Sequence, residues 1–215
     1  MERYVFDANA EQLKEIFGVE VTSEAKTESN FNAAPGHNLP IIIQGEGAPS
    51  LITAQWGSDI AGQRPVFVAQ DAFNNTDILA LITSSPCIIP ISGFYKWKRS
   101  VEDPYPFYIR IHTRDVLGIA GYFTKDDNGK TVFTALVTEA NVLVKPLDTT
   151  MPAIISPNDY SDWLNGNSEA VLKKGFADHS MLPEMTTVRV PELVNDLSNN
   201  SKALIQPIPK LRDDD

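Results

Sequence analysis

The chain has 215 residues, 42% of them hydrophobic and 21% charged, ordinary proportions for a globular protein with material for a sizeable core. Its formal net charge of −10 counts against strong nonspecific binding to a polyphosphate, which rests on clustered Lys and Arg. No apolar run approaches the roughly 18 residues that span a bilayer, and the opening Met-Glu-Arg-Tyr-Val-Phe-Asp lacks the pattern of a secretory signal.

A first helix is predicted over 9–17, where Leu13, Ile16 and Phe17 share one face and Gly18 ends the run. A polar loop over 22–30 follows. Short runs rich in Val, Ile, Phe, Tyr and Thr then read as strands at 40–43, 50–56, 65–68, 87–91, 94–98, 107–111, 116–123 and 132–138. A helix is predicted between them, over 70–83. The turn at 126–130 carries Asn128-Gly129, a pair that tolerates positive φ and so joins two strands as a hairpin. Another helix starts at Ser156-Pro157, with serine as cap and proline in the first turn, and stops at Gly166. A further one spans 168–176. Many short strands and few helices, without strand–helix–strand alternation, predict an α+β fold. Its expected form is a curved, barrel-like, mostly antiparallel sheet with a few flanking helices. No linker composition divides the chain, so residues 1–215 read as one domain ending in a solvated Leu-Arg-Asp-Asp-Asp tail.

The single cysteine, Cys87, excludes an intrachain disulfide and fits a reducing compartment, and the expected location is the cytoplasm. There is no Gly-rich phosphate loop and no Cys/His metal spacing, and His37, His112 and His179 are scattered. Neither a metal nor another cofactor is expected.

Four segments carry a resemblance. They are Phe31-Asn32-Ala33-Ala34-Pro35-Gly36, then Gln55-Trp56-Gly57, then the stretch from Cys87 to Trp97 containing Gly93-Phe94-Tyr95-Lys96-Trp97, and last Leu147-Asp148-Thr149-Thr150-Met151-Pro152. In this order they resemble the SRAP (SOS-response-associated peptidase) family, whose members form a covalent link with abasic sites in single-stranded DNA. The resemblance runs from about Phe31 to the C-terminal segment. It implies an SRAP-like fold and a role in abasic-site processing during the DNA damage response. In the family the nucleophile is a cysteine directly after the initiator Met. Its free amine and thiolate close a thiazolidine ring on the sugar aldehyde, the α-amine being a competent nucleophile near neutral pH. A Glu, a His and an Asn assist as acid, base and orienting groups.

This sequence departs at each of those positions. Glu2 stands where the family has its cysteine, and a Glu second residue predicts that Met1 is retained. Lys96 stands at the Glu position, Asp148 at the His position, and Gly62-Gln63-Arg64 aligns with the family's Asn-Ala-Arg, with Gln63 replacing a partner and Arg64 matching. A carboxylate cannot replace a thiolate in ring closure, so the chain is predicted to be a catalytically inactive member, without cross-linking or autopeptidase activity.

The resemblance also implies a nucleic-acid surface made by Asn32, Pro35, Trp56 and Arg64. Each residue has a second reading. Trp56 is a base-stacking ring or a core anchor, and Arg64 a phosphate contact or a surface charge. Trp97 reads as core and Cys87 as a small buried hydrophobe. Lys96, Lys98, Arg99, Arg110 and Arg114 read as a solvated face. Lys96 and Asp148 either close the old cavity as a salt bridge or leave the lysine amine free for Schiff-base chemistry. Weakly bound single-stranded DNA and a protein partner, the latter favoured by the acidic charge, are the expected partners.

Overall fold

In the computed structural model the described residues are 3–21, 25, 27–57, 65–98, 104–176 and 181–208. The strands in chain order are β1 (Tyr4–Phe6), β2 (Glu20–Val21), β3 (Asn30–Ala33), β4 (Asn38–Gln44), β5 (Pro49–Trp56), β6 (Val66–Val68), β7 (Pro86–Ile91), β8 (Gly93–Lys98), β9 (Tyr105–Ile111), β10 (Leu117–Lys125), β11 (Thr131–Glu139), β12 (Thr150–Pro152) and β13 (Met185–Arg189). The helices are α1 (Ala10–Phe17), α2 (Thr76–Ser84), α3 (Tyr160–Leu164) and α4 (Ser168–Lys174).

The strands divide between two sheets. The smaller is antiparallel throughout, in the order β13-β9-β8-β1-β3. The larger runs β12-β11-β10-β7-β4-β5-β2, with β6 added on β11. Parallel pairing of β5 with β11 at Val132–Gln55 and Phe133–Trp56 curls this sheet back on itself. The α+β class with a few flanking helices holds. The larger sheet is a partial ring rather than a barrel, and β2, β5, β6 and β11 bring parallel pairs into a mostly antiparallel arrangement.

Side-chain alternation along the smaller sheet explains how it sits. Tyr4, Phe6, Phe94, Ile109 and Ile111 point into the main core shared with the larger sheet. Val5, Tyr95 and Tyr108 point the other way, into a second apolar cluster with Phe31 that is roofed by Val190, Val194 and Leu204. That roof is a C-terminal strap containing two short 3₁₀ turns, Glu192–Asn195 and Lys202–Ile205.

Local signals act as expected at several ends. Asn9 caps α1 in a reciprocal capping box with Gln12, and Gly18 closes the helix at φ 65°. The 126–130 turn joins β10 to β11 through hydrogen bonds from Asp126 N–H to Lys130 C=O and from Gly129 N–H to Asp126 C=O. Two helices differ from expectation. The 70–83 segment breaks at Asn75, whose extended backbone ends a 3₁₀ stretch (Ala69–Asn74) and whose side chain caps α2 through Ile78 N–H. Ser156 makes no side-chain cap, and Pro157–Asp159 is a 3₁₀ turn leading into α3. The 22–30 loop is described only in part, and Asn30 already belongs to β3. The expected acidic tail lies outside the described residues.

Gly93 marks where β8 turns away from β7. A Cβ there would lie 2.5 Å from the Tyr108 ring and 2.6 Å from the Ile109 carbonyl oxygen. The Tyr108 hydroxyl donates to Ser92 C=O at 3.0 Å, so the ring cannot easily swing aside. Gly93→Ala is expected to cost about 2–3 kcal/mol through overpacking, read as a lower urea midpoint with an unchanged slope. A wild-type midpoint would show that the ring yields.

Candidate functional site

Lys96 lies two residues beyond Phe94 on β8 and so points to the inner side of the smaller sheet, where its side chain is only 4% exposed. Asp148 reaches it from the larger sheet, at the foot of a loop between β11 and β12. Asn141 shapes that loop. Its side-chain oxygen accepts from Leu143 and Val144 N–H, and its carbonyl accepts from Lys145 N–H. Asp148 N–H donates to Val144 C=O, and Ala140 N–H to Thr149 C=O closes the loop.

Lys96 Nζ donates to Asp148 Oδ2 at 2.6 Å. The other carboxylate oxygen accepts from Thr150 N–H at 3.3 Å. Partial burial pushes the Asp148 carboxyl up. The hydrogen bond and charge of Lys96, with the Thr150 and Thr149 backbone, outweigh it and hold the group below its ordinary value. The sequence alternatives therefore resolve geometrically to the ion pair, which joins the two sheets.

Arg3 follows directly on Glu2. Its carbonyl accepts from Tyr95 N–H at 3.1 Å, beside Lys96, and its guanidinium donates to Asn32 Oδ1 and Val194 C=O. Nearby, burial first and then the charge of Arg3 lower the pKa of His37, which favours its neutral form at pH 7. Arg3 and His37 had no motif to announce them; only the short apolar run Tyr4-Val5-Phe6 hints at a strand beside Arg3.

Of the expected nucleic-acid residues that are described, Asn32 and Trp56 are buried and Pro35 is exposed. Asn32 is buried, and its amide nitrogen donates to the carbonyls of Val194, Asp196 and Asn199, pinning the strap. Trp56 is a core anchor and not a stacking platform. It is fully buried, its ring lies 5.0 Å from Tyr4 and 6.2 Å from Phe133, and its Nε1–H donates to Pro65 C=O. Pro35 is exposed beside Gly36. Trp97 is half-buried and donates to Asn195 Oδ1. Burial pushes the Cys87 thiol far up, as the structural reading requires. Glu2, Gln63, Arg64 and Arg99 lie outside the described residues. No metal-holding group of His, Cys, Asp and Glu occurs among the described residues, and none of their helices is long and apolar enough to cross a membrane.

Two sheets joined around such an ion pair define an α+β scaffold with its candidate site at the sheet junction. Residues 2–197 match the SOS response associated peptidase (SRAP) family, and the chain belongs to it. It is 24% identical, over a 219-residue alignment, to the abasic site processing protein YoqW of Bacillus subtilis (strain 168), covering 95% of this chain and 98% of that one. It is 25% identical over 195 residues to the abasic site processing protein YoaM of the same organism, covering 83% and 85%. The fold matches a crystal structure of a protein from Bacteroides thetaiotaomicron with a TM-score of 0.78 at 19% identity, over 97% of this chain and all of that one.

Truncating Asp148 to Ala strands a buried ammonium and is expected to cost about 2 kcal/mol, less than for a fully buried pair because the carboxylate is partly solvated. Lys96→Met combined with Asp148→Ala should recover much of that loss in equilibrium unfolding. A depressed carboxylate value stabilises the fold in full above the ordinary 3.8 and fades as pH falls through the lower folded value. The stability gap between wild type and Asp148→Asn should thus be constant at neutral pH and shrink only below 3.8. A gap that shrinks near neutrality would mean another group dominates.

Proposed function

We propose that this chain is a cytoplasmic SRAP protein of the abasic-site-processing class that keeps the scaffold and has lost the N-terminal cross-linking and autopeptidase chemistry. The observation that carries this reading is the 2.6 Å Lys96–Asp148 ion pair. An ion pair at the positions of the family's acid and base leaves neither a carboxylic acid free to protonate a leaving group nor an imidazole to relay the proton. The chemistry at the N-terminus points the same way. Thiazolidine formation needs a sulfur and a primary amine on adjacent carbons, and Glu2 offers a carboxylate instead. The relatives named for abasic site processing support a ligand of that class.

Retained binding to single-stranded DNA is proposed to be weak. A protein of net charge −10 gains little from counterion release, and Trp56 is buried. Schiff-base attack by Lys96 is disfavoured, because an ammonium held against Asp148 carries no lone pair for the sugar aldehyde.

Incubation of the purified protein with single-stranded DNA carrying an abasic site, followed by a denaturing gel, is expected to give no SDS-stable adduct. Borohydride is expected to trap no imine in wild type or in Lys96→Ala. A stable band without reductant would overturn the proposed inactivity. A borohydride-dependent band lost in Lys96→Ala would install the lysine as nucleophile.

A further inference from the structure

A second polar cleft of about 550 Å³ lies on the outer side of the smaller sheet. Along β9, Ile109 and Ile111 face the main core, while Tyr108 belongs to the outer cluster and Arg110 continues its face. Lys96 is on the inner side, so the two sites are separated by the sheet. The turn after β9, closed by Arg114 N–H to Ile111 C=O, returns the chain so that Arg110, His112 and Arg114 all line the cleft. Lys202 joins them from the strap.

The distribution of partners in this cleft is uneven. Its two carboxylates are engaged. Asp7 accepts from the Ser29 hydroxyl at 2.6 Å and pairs with Lys202 at 3.4 Å, and Asp115 accepts from the Gln12 amide at 3.4 Å. The side chains of Arg110, His112 and Arg114 make no hydrogen bond or ion pair among the described residues, although all three are exposed. In a chain with ten more acidic than basic side chains, two guanidinium groups that form no ion pair share one concavity, whose carboxylates Asp7 and Asp115 are held by other partners. The first turn of α1 forms part of the wall, and the positive end of its dipole adds to the same field.

We propose that this cleft binds a phosphate monoester on a mononucleotide-sized ligand. Arg110 and Arg114 supply the planar, forked donors that match phosphate oxygens, and His112 supplies a further N–H. The volume suits a ligand of that size rather than a bare ion, and Ile205 gives it an apolar boundary. The site is independent of the Lys96–Asp148 pair and of any activity assigned to it.

Calorimetric titration of the full chain at low salt with adenosine monophosphate is expected to show saturable one-to-one binding, competed by inorganic phosphate. Arg110→Gln with Arg114→Gln should weaken it about tenfold or more. Lys98→Gln, an exposed change outside the cleft, should leave it unchanged. Circular dichroism melts check that the variants fold, and the single Arg114→Gln variant provides a milder loss in the same direction. No saturable binding of either probe would overturn the proposal, as would equal affinity in the arginine variants. Arginine-dependent binding of an oligothymidylate, with neither small probe bound, would overturn it in favour of a strand-binding surface.

Discussion

A charge between two sheets is the constraint on which the rest of this fold depends. An ammonium withdrawn from water costs several kcal/mol unless an anion meets it with good geometry. Lys96 is withdrawn by β8, and the anion is 52 residues away on the edge of the other sheet. The 141–149 loop must therefore arrive in one conformation, and Asn141 and the closing Ala140–Thr149 hydrogen bond give it that conformation. Packing alone would tolerate small slides of one apolar sheet over another. A 2.6 Å ion pair at their junction does not.

The same pair decides the chemistry open to the site. An acid–base couple works by exchanging a proton at the working pH, which requires groups tuned toward neutrality. Asp148 is displaced the other way, toward permanent ionisation. In this chain the pair is a fixed strut between the two sheets.

Strongly patterned elements were legible in the sequence. The long apolar strands of the larger sheet, the capped first helix and the Asn-Gly hairpin follow from alternation, capping and turn chemistry over contiguous residues. The strands that escaped notice are short or polar. β2 has two residues, β1 and β12 have three each, β3 reads Asn-Phe-Asn-Ala, and β13 is Met-Thr-Thr-Val-Arg. They are strands because neighbours pair with them, which is tertiary information. The site was legible only through family register, since nothing local joins Lys96 to Asp148. Trp56 and Asn32 went the other way. Their motif suggested a ligand surface, whereas burial and hydrogen bonding give one to the core and the other to the strap. Arg110 and Arg114, read as a solvated face, are separated from Lys96 by the sheet itself.

The strap roofs Val5, Phe31, Tyr95 and Tyr108, yet its anchoring partners Arg3, Asn32 and Trp97 all lie in the first half of the chain. A ribosome delivers residues in order, so the sheet's outer aromatic face is synthesised well before the segment that covers it. Through that interval the nascent polypeptide carries an uncovered greasy patch, the kind of surface to which holding chaperones attach and through which incomplete chains aggregate. Covering of this face therefore waits for residues 190–204, and a chain cut short before them would leave an assembled sheet without its lid.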